Sequence, residues 1–187
     1  MKRLFAAIKL HPSEEFLSRY YAMKRTLQSE KIKWVEPDNI HVTLKFFGET
    51  PDHHIPGINL ALREAAKNIS AFSFGLEHIG IFGSSYKPRV IWMGIEDEGA
   101  ITALAEEVFR QLEIIGIKKD RQNFVPHLTI ARIKSVINKE QFQNVIKKYR
   151  EGSIQKEEVN TFHLFESILR PRGPEYTILK SFTRGLK

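Results

Sequence analysis

The alternation of apolar and polar positions divides the chain into short strands and amphipathic helices. Arg3 to Leu10 (RLFAAIKL) is almost continuously apolar and predicts a central strand. His11-Pro12 ends it, Ser13 is placed to cap a helix, and Phe16, Tyr20, Met23 and Leu27 recur at helical spacing to about Ser29. Trp34 to Asn39 reads as a loop with a turn, and Ile40 to Phe47 as a strand closed by Gly48. Thr50-Pro51 suggests an N-cap with proline at the first helical position, ahead of a helix carrying Ile55, Ile58, Leu62, Ala65 and Ile69. Phe72 to Phe82 alternates as a strand, and Gly83-Ser84-Ser85 with Lys87-Pro88 marks a turn.

The order then begins again. Arg89 to Ile95 predicts a strand, and Ile101, Leu104, Ala105, Val108, Leu112 and Ile115 predict a helix. Phe124-Val125-Pro126 leads into a strand from His127 to Ile133. Asn138 with Gln141 resembles a capping box before a helix carrying Phe142, Val145, Ile146 and Tyr149. Val159 to Ile168 and Tyr176 to Phe182 read as strands joined by the turn Pro171-Arg172-Gly173-Pro174. Corresponding points recur 86 residues apart: Arg3 and Arg89, Ser13 and Gly99, His41 and His127. This register predicts a duplicated unit with an approximate two-fold axis, in halves 1–86 and 87–187 of one bilobal domain spanning 1–187. The axis is expected to bring His41-Val42-Thr43-Leu44 and His127-Leu128-Thr129-Ile130 face to face across a cleft. In a strand, residues i and i+2 share a face. Each His therefore stands beside its Thr while the apolar partners enter the core.

Composition narrows the chemistry. Lys plus Arg is 29 and Asp plus Glu 22, a net charge of +7 that favours anionic partners, nucleic acid first. There is no cysteine, which excludes disulfides, thiolate nucleophiles and cysteine–zinc sites and fits a reducing compartment. The opening apolar run stops at Lys9, too early for a signal-peptide core, and no stretch is long enough to span a membrane. A cytoplasmic protein with no membrane partner and no obligate protein partner is expected.

Histidine titrates near neutral pH. Two facing one cavity can hold opposite protonation states, one taking a proton from a nucleophile and the other giving one to a leaving group. That pair suits in-line displacement at phosphorus, with Thr43 and Thr129 binding the non-bridging oxygens. Zinc usually takes three or four protein ligands, and spacing places no third partner, so neither metal nor cofactor is expected. His53 and His54 are expected to be exposed in the first turn of a helix, His78 and His163 to be packing or edge residues of strands, and His11 to follow a strand end, where it could rim a cleft but nothing selects it. Trp34 and Trp92 are expected in the core.

The paired His-x-Thr-x tetrads resemble the 2H phosphoesterase superfamily. With RLFAAI, NIHVTLKFFGE, PHLTIAR and Ser167 to Tyr176 (SILRPRGPEY), the chain resembles the RNA 2′,3′-cyclic phosphodiesterase, or 2′-5′ RNA ligase, branch over essentially its whole length. The resemblance implies an α+β fold with antiparallel-rich sheets lining the cleft and helices outside. It implies metal-independent hydrolysis of RNA 2′,3′-cyclic phosphate ends to 2′-phosphomonoesters, with reverse 2′-5′ ligation. His41 is then expected to protonate O3′ and His127 to activate water, a direction that the pseudo-symmetry leaves open. Phe46 and Arg132, five residues after each histidine, are expected to sandwich the terminal base. Strict alternation puts both on the face opposite the histidines, so this role requires a bulge or action from the strand end. Two other readings are a 2H enzyme for a small cyclic nucleotide or cyclic ADP-ribose phosphate, and a non-catalytic RNA end-binding module.

Overall fold

In the computed structural model, residues 1–84, 86–119, 124–171 and 173–183 are described. Ser85 and Arg172, each within an expected turn, lie outside the described residues. The elements run β1 (Lys2–Lys9), α1 (Glu14–Thr26), β2 (Lys31–Trp34), β3 (His41–Thr50), α2 (Ile55–Lys67), β4 (Phe72–Gly83), β5 (Pro88–Glu96), α3 (Ala100–Ile114), β6 (Leu128–Ser135), α4 (Lys139–Lys148), β7 (Gln155–Val159), β8 (Thr161–Arg170) and β9 (Gly173–Thr183). No helix among the described residues is long and apolar enough to cross a membrane.

The helix ends follow capping chemistry. Ser13 Oγ accepts from Phe16 N at 3.1 Å. Gly99, with φ 86°, precedes α3, and Asp97 accepts from the backbone N–H groups of Gly99 and Ile101. Asn138 Oδ1 accepts from Gln141 N at 2.9 Å, but the reciprocal half of the capping box is replaced. Asn138 N donates to Glu30 instead, and Gln141 Nε2 reaches Thr26 O. The expected cap at Thr50 is also replaced. Thr50 is the buried last residue of β3, its hydroxyl bonds Gly48 O, and a 3₁₀ turn, Asp52–His54, leads into a helix with Pro56 in its first turn. His53 and His54 are exposed in that 3₁₀ turn.

The strands form one curled sheet in the order β7-β4-β5-β6-β3-β1-β8-β9, with β2 added to β6 and every pair antiparallel. The order is palindromic about the β6–β3 join. β3 matches β6, β1 matches β5, and β8 matches β4. The motif strands are neighbours in one sheet, paired at Val42 and Leu128, rather than opposed across a gap as expected. The third strand of each repeat crosses over: β4 lies against β5, and β8 against β1. β2 likewise leaves its own half to pair with β6.

The two faces of the sheet differ. One carries Leu4, Ala6, Ile8, Val42, Leu44, Ile91, Met93, Leu128 and Ile130 into a single core with Phe16 and Tyr20 of α1, Leu62 of α2, Val108 of α3 and Phe142 of α4. All four helices thus cover that face. The other face holds a small cluster of Phe5, Ala7 and Phe165 with Tyr176 and is left for the site.

Two strands escaped the periodicity. β2 is four residues long with alternating lysines, and β7 (QKEEV) carries three charges in five positions. Val159 belongs to β7, and β8 begins at Thr161.

Glu30 ties the halves together. It is 7% exposed, and its carboxylate accepts from the backbone N–H groups of Ile137 and Asn138 at the start of α4. Glu30→Ala orphans two donors, and the expected loss of stability is about 2 kcal/mol. Urea unfolding measures it, with Glu30→Gln expected to lose less because one acceptor remains. An unchanged midpoint for the alanine variant would show that this tie contributes nothing.

Candidate active site

Each tetrad histidine is held the same way. His41 Nδ1 lies 2.7 Å from Asn39 O, and His127 Nδ1 lies 2.8 Å from Val125 O. A carbonyl only accepts, so Nδ1 carries the proton in both rings. Nε2 is then the nitrogen free to exchange a proton, as a base when neutral and an acid when charged. Asn39 and Val125 are themselves 86 residues apart, so the repeat extends to the groups that fix the tautomers.

The strand geometry resolves the position of Phe46 and Arg132. β3 slips by one residue against β1: Thr43 pairs with Ala7 and Lys45 with Ala6, leaving Leu44 extra. β6 slips at the matching place against β5: Thr129 pairs with Trp92 and Ala131 with Ile91, leaving Ile130 extra. Leu44 and Lys45 are consecutively buried, as are Ile130 and Ala131. Each bulge therefore reverses the alternation and returns Phe46 and Arg132 to the histidine face. Lys45 turns to the helix side, its Nζ 5.9 Å from the Phe109 ring centroid.

One cavity of about 520 Å³ is lined by His41, Thr43, His127, Thr129, Phe46 and Arg132, all six of the sequence-derived site residues. Phe46 is 60% exposed at its rim. Among the described residues, the Thr43 and Thr129 hydroxyls and the Arg132 guanidinium have no hydrogen-bond partner within the protein. The wall also includes Arg3, Phe5, Ser167 and Tyr176, which sequence reasoning did not select. Phe5 lies in a strand read as core, and its odd register with Arg3 and Ala7 was the available signal. Ser167 and Tyr176 are the ends of the SILRPRGPEY string.

The surroundings of the two histidines are unequal. The His41 ring packs on Phe5 (centroids 4.9 Å) and edge-on to Tyr176 (5.3 Å), with Phe165 behind. Phe5 and Phe165 are buried. Burial lowers the His41 pKa from its ordinary value, the Asn39 carbonyl acts to raise it, and the nearby Arg132 charge lowers it further. Burial likewise raises the Tyr176 pKa. His127 meets Phe82 edge-on at 4.9 Å, and Phe82 is 38% exposed.

The remaining expectations divide. His11 is exposed, with Nδ1 3.6 Å from Glu157 Oε1. His163 bonds Ser181 Oγ, and burial with the Lys9 and His11 charges lowers its pKa. Trp34 packs on the main core, edge-on to Tyr20. Trp92 does not join that core. It pairs with Thr129, stands on the site face and is only partly buried. A period-two strand flanked by two covered positions reads as apolar throughout, which hid this.

A sequence profile of the 2′-5′ RNA ligase superfamily matches residues 15–167. The chain belongs to the 2′-5′ RNA ligase superfamily. Among its superfamily relatives, a protein of Aquifex aeolicus named RNA 2′,3′-cyclic phosphodiesterase is 38% identical over 82% of each chain. One of the same name from Methanocaldococcus jannaschii is 33% identical over 96% of this chain and 99% of its own. A crystal structure from Thermus thermophilus superposes with a TM-score of 0.77 at 29% identity, over 97% of both chains. The α+β fold expected from the sequence is thus that of this superfamily.

The environment of His41 has a pH consequence. Its folded pKa lies below the ordinary 6.5, so its contribution to stability is present above that pH and is lost as the pH falls through the folded value. Imidazole titration by NMR should place the His41 midpoint below 6.5, and inorganic phosphate in the cavity should raise it by favouring the cation. A midpoint above 6.5 without phosphate would contradict this account of the pocket.

Proposed function

We propose that the protein hydrolyses RNA 2′,3′-cyclic phosphate ends to 2′-phosphomonoesters by general acid–base catalysis. The observation that carries this reading is the convergence of both tetrads, with matching Nδ1 anchors, on one cavity. The name borne by relatives up to 38% identical supports the substrate class.

The chemistry follows from the arrangement. The phosphate sits between the histidines, its non-bridging oxygens accepting from the Thr43 and Thr129 hydroxyls. Arg132 adds positive charge where negative charge develops. Phe46 and Arg132 hold the terminal base by stacking, which tolerates any base. Water attacks phosphorus opposite O3′, giving its proton to His127 Nε2, while His41 Nε2 protonates O3′ as the P–O3′ bond breaks.

The inequality of the histidines favours this direction. O3′ remains on the ribose when its bond to phosphorus breaks, so its acid can occupy the enclosed side. Water must enter from solvent, so its base belongs on the open side with Phe82. Burial alone favours neutral His41, which opposes an acid role in the empty pocket. The arriving phosphate anion acts in the other direction by stabilising the imidazolium.

A cyclic-phosphate-ended oligoribonucleotide incubated with the protein in EDTA and followed by phosphorus NMR should give a 2′-monophosphate. A 3′-monophosphate would reverse the bond assignment, and the absence of turnover would remove the enzymatic reading. His41→Ala and His127→Ala should each lower kcat by about 10²–10⁴-fold, with the pH profile of the parent enzyme a bell. Phe46→Ala should raise KM by about tenfold, the scale of one lost base stack, with a smaller effect on kcat.

A further inference from the structure

The region beside His127 contains more than the hydrolytic reading uses. Phe82 and Gly80 of β4, Val90 and Trp92 of β5, and Thr129 and Arg132 of β6 fall in two adjacent cross-strand rows on the site face. The Phe82 ring meets His127 edge-on at 4.9 Å and lies over Trp92 at 5.2 Å with an interplanar angle of 27°. Trp92 in turn occupies the space over Gly80, where a Cβ would come within 2.4 Å of its ring. Phe82 is thus backed by a second ring and fixed at its edge, yet it remains 38% exposed. The rings beside His41 are more enclosed: Phe5 and Phe165 are 2% and 5% exposed, and the edge-on Tyr176 is half-buried.

From this asymmetry, and resting on the reading above, we infer that Phe82 is the stacking platform for the base of a second nucleotide, whose 5′-hydroxyl takes the place of water at His127. In-line geometry puts the attacking oxygen opposite O3′, hence on the His127 side. A 5′-hydroxyl there carries its own ribose and base toward the exposed ring. Base stacking on an aromatic face is independent of base identity, and the +7 chain favours a polyanionic strand. In the transfer, the bond from the 5′ oxygen to phosphorus forms and the P–O3′ bond breaks. The 5′-hydroxyl proton passes to His127 Nε2, and a proton from His41 Nε2 passes to O3′. The product is a 2′-5′ phosphodiester, and the histidines end in exchanged protonation states, as in hydrolysis.

The test is a partition measurement, because transfer and hydrolysis use the same histidines and damage to them cancels in the ratio. Adenosine 2′,3′-cyclic phosphate is incubated with the protein and increasing adenosine, or with ribose as an acceptor that lacks a base. Chromatography then gives the ratio of 2′-5′ diadenosine product to 2′-phosphate. The ratio should saturate with adenosine and stay low with ribose. Phe82→Leu, which keeps an apolar contact with His127 but has no aromatic face, should lower the adenosine ratio about tenfold. Phe82→Tyr should retain it. Hydrolysis without transfer to adenosine, equal ratios for adenosine and ribose, or a ratio unchanged in Phe82→Leu would each overturn the second subsite while leaving the hydrolytic reading in place. Absence of any cyclic phosphate turnover would remove both.

Discussion

The antiparallel contact between Val42 and Leu128 joins the two halves of the sheet, and the rest of the arrangement depends on it. Because β3 and β6 lie side by side rather than opposed, equivalent residues of the two repeats emerge on the same face. One face of the shared sheet can then be covered entirely by helices, with a core running through both halves, while the other keeps its polar tetrads together. The pairing brings the histidines into one cavity, His41 at the first position of β3 and His127 immediately before β6. Their separation is set by strand spacing, and their orientation by carbonyls two residues upstream.

That economy has a geometric limit. A regular strand offers the site only every second residue. The matched bulges at Leu44 and Ile130 overcome it by turning each strand half a period after the tetrad. In the proposed reaction, the segment before the bulge serves the phosphate and the segment after it serves the base. The two functions are therefore adjacent along one strand and share one rigid framework.

The sequence made the local features legible and left the long-range ones hidden. The apolar spacing in α1 and α3, the Ser13 cap and the polar faces of both tetrads are properties of a few consecutive residues. The 86-residue register went further, because it compares two local patterns. β2 could not be read this way, since Lys31–Trp34 is stabilised by pairing with β6, about a hundred residues away. The exchange of β4 and β8 is equally non-local. The bulge in β6 did leave a trace, two consecutive apolar residues before Arg132, but its counterpart in β3 is masked because one of the two buried residues is Lys45. Phe82 read simply as the end of a strand, and only the β4–β5–β6 register brings it to His127.

The crossed third strands carry a consequence for how such a site could arise. The palindromic order β4-β5-β6-β3-β1-β8 is what two identical copies of a half-length chain would build as a strand-exchanged homodimer. In such a dimer, symmetry gives both histidines the same surroundings and the same intrinsic proton affinity. Joining the copies into one polypeptide removes that restriction. One side can close around His41 while the other stays open at His127, and an acid and a base can diverge from the same ancestral residue.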